Sequence, residues 1–401
     1  MALTLAGWPF RPDLLEQGLD RFRNQNPGVS VSFTEVLNDY RQRLDEWMTS
    51  ENPPNVVQVR EGQAAAWARA GMIRPLGDMP TFVDLSGRLR PAAREAVAPG
   101  GEVFGLPFYS DVMVLAFNRE MLDQVGDRPP QTWEELGAFA KELRALGVSE
   151  TPISLNFAPK VNANLPWWAM LYAAGGTLLA GGVTDADPQE PAARLLHLLR
   201  RFLAEDLTLD PGLGEATYSG LDGSVSAFTL VGTYAARQFA ENRKRNGGPP
   251  IELAPVPGLD GPGAATVSWT PFYAVTSSAP DLEESILLAL HLGGIDAGGE
   301  FFSATWWARE AGLPPAYPEV LASPDVSQAV SSWVDPAFLD SVLSMGLPVE
   351  AMWEPWFESW EQWSQDEIMR AIWATATPEE ALGAIRSSAH DLRTRMGQGS
   401  S

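Results

Sequence analysis

The chain opens on alternation. Leu3 and Leu5 flank Thr4 ahead of Ala6-Gly7, a strand-length pattern that ends at Trp8-Pro9-Phe10. Residues 13–26 then set Leu15, Leu19 and Phe22 at helical spacing, with Pro27-Gly28 as the stop. Val29, Val31 and Phe33 alternate as a second strand. A helix starting at Asp39 carries Tyr40, Leu44, Trp47 and Met48 on one face. Residues 55–59 read as a third strand, and residues 64–70 as a helix closing at Gly71. Strands and helices alternating at these lengths predict a parallel sheet with helices on both faces.

A break follows. Val103-Phe104-Gly105-Leu106-Pro107 leads through Phe108-Tyr109-Ser110 into the Val-rich run 111–118. Gly permits backbone angles that other residues avoid, and Pro fixes φ and removes a donor. Such a pair feeding a buried strand, midway between two α/β patterns, predicts a hinge; its plainer reading is a turn before a core strand. Beyond it, Thr132-Trp133-Glu134-Glu135 has the form of a capping box. Residues 153–155 form a short strand, 168–174 a helix ended by Gly175-Gly176, and Leu195, Leu196, Leu199 and Phe202 mark another helix. Residues 227–231 and 251–254 read as strands, with a helix from Thr233 between them. Residues 258–265 are expected to carry the second crossing between lobes, 269–275 one further strand, and 281–292 a helix. The tail is helical and rich in Trp, with a second capping box at Thr377-Pro378-Glu379-Glu380.

Composition narrows the partners. With 28 basic and 51 acidic residues the net charge is −23, which repels nucleic acid and anionic membrane. No apolar run approaches the roughly 20 residues of a membrane helix. Cysteine is absent, which removes disulfides, thiolate metal sites and a cysteine nucleophile. His197, His291 and His390 are far apart, and no two have metal-ligand spacing. Arg243-Lys244-Arg245 is the one basic cluster, read as a solvated helix end that complements the helix dipole. No cofactor is expected.

The unusual feature is 15 Trp, in clusters such as Trp167-Trp168, Trp306-Trp307 and Trp353, Trp356, Trp360, Trp363. The plain reading of any one of them is core packing. An indole also suits the C–H-rich face of a sugar, and carboxylates suit its hydroxyl rim. In open α/β sheets ligands lie outside the carboxyl ends of strands, and Trp8, Glu61 and Asp111 stand just after or just before strands. A buried hydrogen bond nets about 0.5–1.5 kcal/mol, and up to roughly 3 kcal/mol with a charged partner. Several such bonds and one or two indole platforms would supply the about 8 kcal/mol of a micromolar ligand. The plain reading of Asp111 is a strand cap, and of Glu61 a helix-start carboxylate.

Several stretches, in order, resemble the sugar-binding family of ABC-importer solute-binding proteins that includes the maltose-binding proteins. They are Tyr40-Arg41-Gln42-Arg43-Leu44, Asn55-Val56-Val57-Gln58-Val59, Ala70-Gly71-Met72-Ile73-Arg74-Pro75-Leu76, Val103-Phe104-Gly105-Leu106-Pro107 and Ala116-Phe117-Asn118. Pro130-Gln131-Thr132-Trp133-Glu134-Glu135-Leu136, Gly175-Gly176, Pro255-Val256-Pro257-Gly258, Gly312-Leu313-Pro314 and Thr377-Pro378-Glu379-Glu380-Ala381 follow. The resemblance covers nearly the whole chain. It departs where Pro54-Asn55 stands for the family's Pro-Asp, and where Trp269-Thr270 replaces a usual pair of glycines, which is expected to narrow the cleft.

The resemblance implies a two-lobed α/β fold, each lobe a sheet flanked by helices, with a cleft and hinge between. Lobe 1 would comprise residues 1–110 and 266–312, and lobe 2 residues 111–265. Residues 313–401 would form a helical segment packing on lobe 2 and reaching the cleft. It further implies that Trp8, Phe10, Asn38, Asp39, Tyr40, Glu61, Tyr109, Asp111, Tyr234, Trp269, Thr270 and Trp353 touch the ligand. The function implied is binding of a sugar or small oligosaccharide and its delivery, by hinge closure, to the membrane permease subunits of an ABC importer. The protein would be a non-enzymatic monomer outside the cytoplasm, periplasmic or a cell-surface lipoprotein, with its export signal removed. Two other readings fit the composition: a glycoside hydrolase with a Trp-lined cleft and paired carboxylates, and a binding protein for a non-sugar osmolyte held in an aromatic cage. Neither a catalytic motif nor an eightfold strand–helix repeat favours the enzyme.

Overall fold

The computed structural model describes residues 2–37, 39–155, 157, 164–179, 186–209 and 217–398. The strands are β1 Ala2–Gly7, β2 Ser30–Glu35, β3 Val56–Val59, β4 Gly105–Pro107, β5 Asp111–Asn118, β6 Ile153–Ser154, β7 Phe228–Gly232, β8 Ile251–Ala254, β9 Thr266–Trp269, β10 Phe272–Val275 and β11 Gly346–Leu347. The chain divides into two compact units. Unit 1 holds Met1–Asp111, Ser268–Ser344 and Ala351–Pro355; unit 2 holds Val112–Val267, Met345–Glu350 and Trp356–Ser401. Residues 313–401 are therefore shared: 313–344 and 351–355 belong to unit 1, and the remainder to unit 2. Each unit is an α/β body built on one sheet with helices packed against it.

The first sheet runs β2-β1-β3-β10-β4. β1, β2 and β3 pair in parallel, as the alternation predicts. The sheet as a whole is mixed, however, because β10 pairs antiparallel with both β3 and β4. The helix Pro12–Gln25 buries Leu15, Leu19 and Phe22, begins with Pro at a position that needs no N–H, and stops ahead of Gly28 at φ 96°. Asn55, which stands where the resemblance has Asp, ties this sheet together. Its Oδ1 accepts from the Thr4 N–H at 2.9 Å and its Nδ2 donates to Ser285 Oγ at 3.2 Å.

The second sheet runs β11-β9-β5-β7-β6, with β8 also on β5. All eight residues of β5 are buried, which explains its continuous apolar run: a strand covered on both faces loses the period-2 signal. The helix Ala235–Asn246 ends in Arg243, Lys244 and Arg245 with Gly247 left-handed, so the basic cluster is the helix end that the sequence suggested.

Two expectations are corrected. Residues 269–275 are not one strand. They break at Thr270-Pro271 into the end of β9 and the start of β10, which lie in different sheets, because Pro271 has no N–H to offer a ladder. The passage between units falls at Val267–Ser268 rather than within 258–265. The latter is a tight loop of unit 2, where a Cβ on Gly263 would stand 2.1 Å from the Val256 carbonyl oxygen. Gly105 also has a different reason from the one its type suggests. Its φ is not positive; a Cβ there would lie 2.3 Å from the Tyr273 carbonyl oxygen.

Both capping boxes form, with a difference. Thr377 and Glu380 exchange side-chain-to-backbone bonds at 2.8 and 3.1 Å. Thr132 Oγ1 accepts from the Glu135 N–H, but the Glu135 carboxylate accepts from Gln131 N and pairs with Arg128. Those partners hold Glu135 far down, at a pKa of about 2.

Candidate functional site

The register fixes which strand ends share an edge in unit 1. Ala6 pairs with Val57, Val59 with Phe272, and Phe272 with Pro107. The carboxyl ends of β1, β3 and β4 and the start of β10 therefore lie along one side of the sheet. The parallel partner β2 ends there too. β1 and β4 are followed by aromatic residues, Trp8 and Phe108.

Trp8 follows β1. Gly7 precedes it because a Cβ there would come within 2.8 Å of Gln58 Oε1. The half-buried Trp8 indole meets Tyr40 edge-on at 5.0 Å, and the Arg60 guanidinium, leaving the end of β3, stands over it at 5.4 Å. Tyr40 begins the helix Tyr40–Met48 and donates its hydroxyl to the Gln58 carbonyl. Burial pushes this phenol's pKa well up, against a downward pull from Arg60, so it remains a donor at neutral pH. Asp39 is exposed and left-handed at φ 51°, with no capping bond from its side chain. Left-handed geometry is costly for a residue with a Cβ, and such positions cluster at functional sites.

A second aromatic group follows β4. Phe10 contacts Trp307 at 6.1 Å, Trp307 meets Phe108 edge-on at 4.9 Å, and Phe108 meets Tyr109 at 5.2 Å. Trp269 Nε1 donates to the Tyr109 hydroxyl at 3.2 Å. The backbone is tied alongside: Phe108 N–H donates to the Pro271 carbonyl at 2.8 Å. Ser110 Oγ lies 2.9 Å from Thr270 Oγ1 and 3.4 Å from Ser268 Oγ. Thr270 is 1% exposed, so this hydroxyl cluster is internal. Trp353, on the Ala351–Pro355 segment, stacks on Phe104 at 5.3 Å and on Phe272 at 6.4 Å.

Unit 1 thus carries two groups at these strand ends, Trp8 with Tyr40 next to Asp39, and Phe10, Tyr109 and Trp269 with Trp307 and Phe108; Thr270 is internal, and Trp353 packs on Phe104, ahead of β4, and on Phe272. Asp111 opens β5, fully buried. Tyr234 belongs to unit 2, half-buried at the N-terminus of the helix Ala235–Asn246, two residues past β7. Asn38 lies outside the described residues. Glu61 opens the helix Glu61–Arg69, and its side chain is likewise outside the described part. Sequence reasoning missed Arg60 and the supporting rings Trp307 and Phe108. Arg60 had a signal, being the first residue past β3. Trp307 had only its place in a Trp pair.

The strand ends offer ring surfaces, the Tyr109 hydroxyl, the Arg60 guanidinium and the exposed Asp39 carboxylate, groups of the types that stack on and hydrogen-bond to hydroxylated ligands. Among the described residues, no group of three or more His, Cys, Asp or Glu stands together as a metal site, and no helix is long and apolar enough to cross a membrane.

Two sheet-centred units joined by strand crossings, with aromatics at the strand ends, define a two-lobed binding-protein fold of the periplasmic type. The chain belongs to the family of bacterial extracellular solute-binding proteins, whose profile it matches over residues 11–290. Among curated relatives, a mannitol-binding protein of Pseudomonas aeruginosa is 26% identical over 126 residues, 30% of this chain and 29% of that protein. The sn-glycerol-3-phosphate-binding periplasmic protein of Escherichia coli is 26% identical over 141 residues, 32% of each. The chain thus spans about a third of the length of these relatives. Among solved structures, maltose-bound MalE3 of T. maritima superposes with a TM-score of 0.79 at 19% identity, covering 98% of this chain and 99% of that one. A solute-binding protein of Thermotoga lettingae bound with α-D-tagatose gives 0.78 at 19%, covering 96% and 98%.

Proposed function

We propose that this protein binds a carbohydrate or polyol at the aromatic edge of unit 1 and hands it, chemically unaltered, to the permease of an ABC importer outside the cytoplasm. The observation that carries the reading is the pairing of Trp8 with Tyr40, beside Arg60, and of Trp269 with Tyr109, at strand ends of unit 1. The hinge has to lie where the chain passes between units, at Asp111–Val112 and Val267–Ser268 and again in the tail. Family membership favours binding over hydrolysis. The relatives named for mannitol, maltose and tagatose favour a hydroxylated ligand. The guanidinium over Trp8 argues against a quaternary-amine cage, because a cation already occupies that ring.

Calorimetry across a panel of hexoses, hexitols, oligosaccharides and betaine tests this. A sugar or polyol should bind at micromolar strength, and Asp111→Asn should weaken it roughly tenfold to a hundredfold through loss of a charge-assisted bond. Unchanged affinity in that variant would remove Asp111 from the site. New reducing ends after incubation with oligosaccharides would make the protein a hydrolase instead.

A further inference from the structure

We infer that one face of a tail helix in unit 2 pairs with the same face of a second copy of this chain, antiparallel, to form a weak twofold dimer. Such a dimer goes beyond the ligand reading above and departs from the monomer that the family resemblance implies.

The helix Phe357–Ile372 packs its inner side on the helices Pro191–Ala204 and Pro378–Gln398, burying Trp360, Ser364, Ile368 and Ala371 among others. Its outer side is one stripe: Ser359, Gln362, Trp363, Asp366, Arg370 and, at the C-cap, Trp373, all exposed. At about 3.6 residues per turn these six fall within an arc of about 100°. Trp363 is 37% exposed and Trp373 45%, and among the described residues no other Trp is exposed. Indole area left in water on one helix face marks a contact surface.

The stripe reads the same from both ends. Trp363 and Trp373 stand equally far either side of the level of Ile368, and so do Asp366 and Arg370. At about 1.5 Å per residue the indoles are about 15 Å apart along the axis and the charges about 6 Å. A twofold axis at the level of residue 368 sets Trp363 against Trp373 of the second copy and Asp366 against Arg370 of the second copy. Each contact is then made twice, as an isologous interface requires. Parallel pairing would instead set Asp366 on Asp366 and Arg370 on Arg370, so the charges select the antiparallel arrangement.

The charges are also disposed for a partner outside the chain. An acid four residues ahead of a base on a helix ordinarily pairs with it. Here Arg370 turns its Nη1 to both Glu367 oxygens at 2.8 and 2.9 Å, and the exposed Asp366 has no hydrogen-bond or ion-pair partner. Glu367 takes only Nη1, which leaves the other guanidinium donors to meet a second carboxylate. In a chain of net charge −23 the exposed stripe carries one acid and one base, so two copies can join there while their remaining surfaces repel. A standard interface takes about 20–30 residues a side, so a contact centred on these six is small, with a dissociation constant of about 10–100 µM.

Sedimentation equilibrium of the intact protein from about 5 µM to 1 mM, at physiological salt, is the test. The expected mass rises from monomer to dimer and stops there. Trp363→Ala, Asp366→Arg and Arg370→Asp should each weaken association by about tenfold or more, and the double reversal Asp366→Arg with Arg370→Asp should restore it to within about threefold. An equimolar mixture of the two single-reversal proteins should dimerise where neither does alone, because every facing pair in it is again of opposite sign. A parent protein that stays monomeric throughout, as it would if the stripe served a different protein or a membrane, overturns the inference. So does a dimer that Trp363→Ala and Asp366→Arg, folded by circular dichroism, leave at parental strength, or a mixture of folded reversals that fails to associate. If Arg370→Asp, beside Glu367, does not fold, Asp366→Arg decides alone: a tenfold loss upholds the pairing and parental strength overturns it.

Discussion

Gly105 and Gly18 should respond to alanine with opposite signs. At Gly105 an added Cβ lies 2.3 Å from the Tyr273 carbonyl oxygen and 2.5 Å from Phe272 Cδ2, about 1 Å inside the 3.4 Å where ordinary contact begins. The obstructing atoms are backbone and ring in the neighbouring strand, so relief means prying β4 from β10 across a ladder of only three pairs. Overpacking of this kind costs about 1–3 kcal/mol or more. For a unit of this size each kcal/mol is worth about 2–4 °C, so unit 1 should melt roughly 2–12 °C lower. Gly18 lies inside the helix Pro12–Gln25, with nothing within 4 Å of the place its Cβ would take. Alanine there removes unfolded-chain entropy and should gain about 0.5–1 kcal/mol. Thermal melts followed by circular dichroism read both variants. A Gly105→Ala protein melting within about 1 °C of the parent would refute the steric account, as would both alanines moving the midpoint the same way.

Two further outcomes follow from buried charge. Arg386 is buried in unit 2, where its Nη2 holds both Glu190 oxygens at 2.9 Å and its Nε donates to the Leu178 carbonyl at 3.0 Å. Arg386→Ala should cost about 3–5 kcal/mol in urea unfolding and the double change Arg386→Met with Glu190→Leu much less, because it leaves no orphaned charge; equal losses would contradict this. In unit 1, burial pushes Asp296 up, but bonds from Arg21, the Glu300 and Gly298 N–H groups and Gln25 outweigh it and hold the pKa at about 2. A carboxyl depressed on folding stabilises above its unfolded pKa, so this contribution, roughly 2 kcal/mol, should be intact above about pH 4 and lost as pH falls toward 2. Asp296→Asn should flatten the stability profile in that window, and an unchanged slope would show that Asp296 does not supply it.

Local chemistry made much of the molecule legible. Two strand ends of the candidate site follow from short-range pattern: Leu3 and Leu5 announce β1 and so place Trp8, and residues 55–59 announce β3. The helix stop at Gly28 and the Thr377 capping box are equally local. What stayed hidden depends on pairing across long separations. Nothing near residue 272 says that it will pair antiparallel with Val59 and Pro107. The apolar run 269–275 hid its own break, because hydrophobicity is continuous through Pro271 while the hydrogen-bond ladder is not. Trp307 reaches Phe10 across most of the chain. The role of Gly105 was misread for a related reason. Its type suggested unusual angles, whereas the constraint is the closeness of another strand's carbonyl.

Two groups among the tryptophans differ in use, and the element that carries each indole separates these two better than its neighbours in sequence do. Seven of the fifteen are buried. In unit 2, Trp133, Trp167, Trp168 and Trp360 lie on helices, and Trp356 at a helix start, filling helix-packed core; Trp360 also donates to the Ile385 carbonyl at 3.0 Å. These are large apolar bodies whose burial stabilises the unit by area. In unit 1, Trp8 and Trp269 instead stand where strands end, half-buried, each held by a partner that orients the ring: Tyr40 and Arg60 for one, Tyr109 for the other. A helix can present a long side chain to the core at every turn, while a strand end must project its residue past the sheet. An indole at a strand end therefore stands beyond the layers of the core, which is where the proposed ligand would meet it.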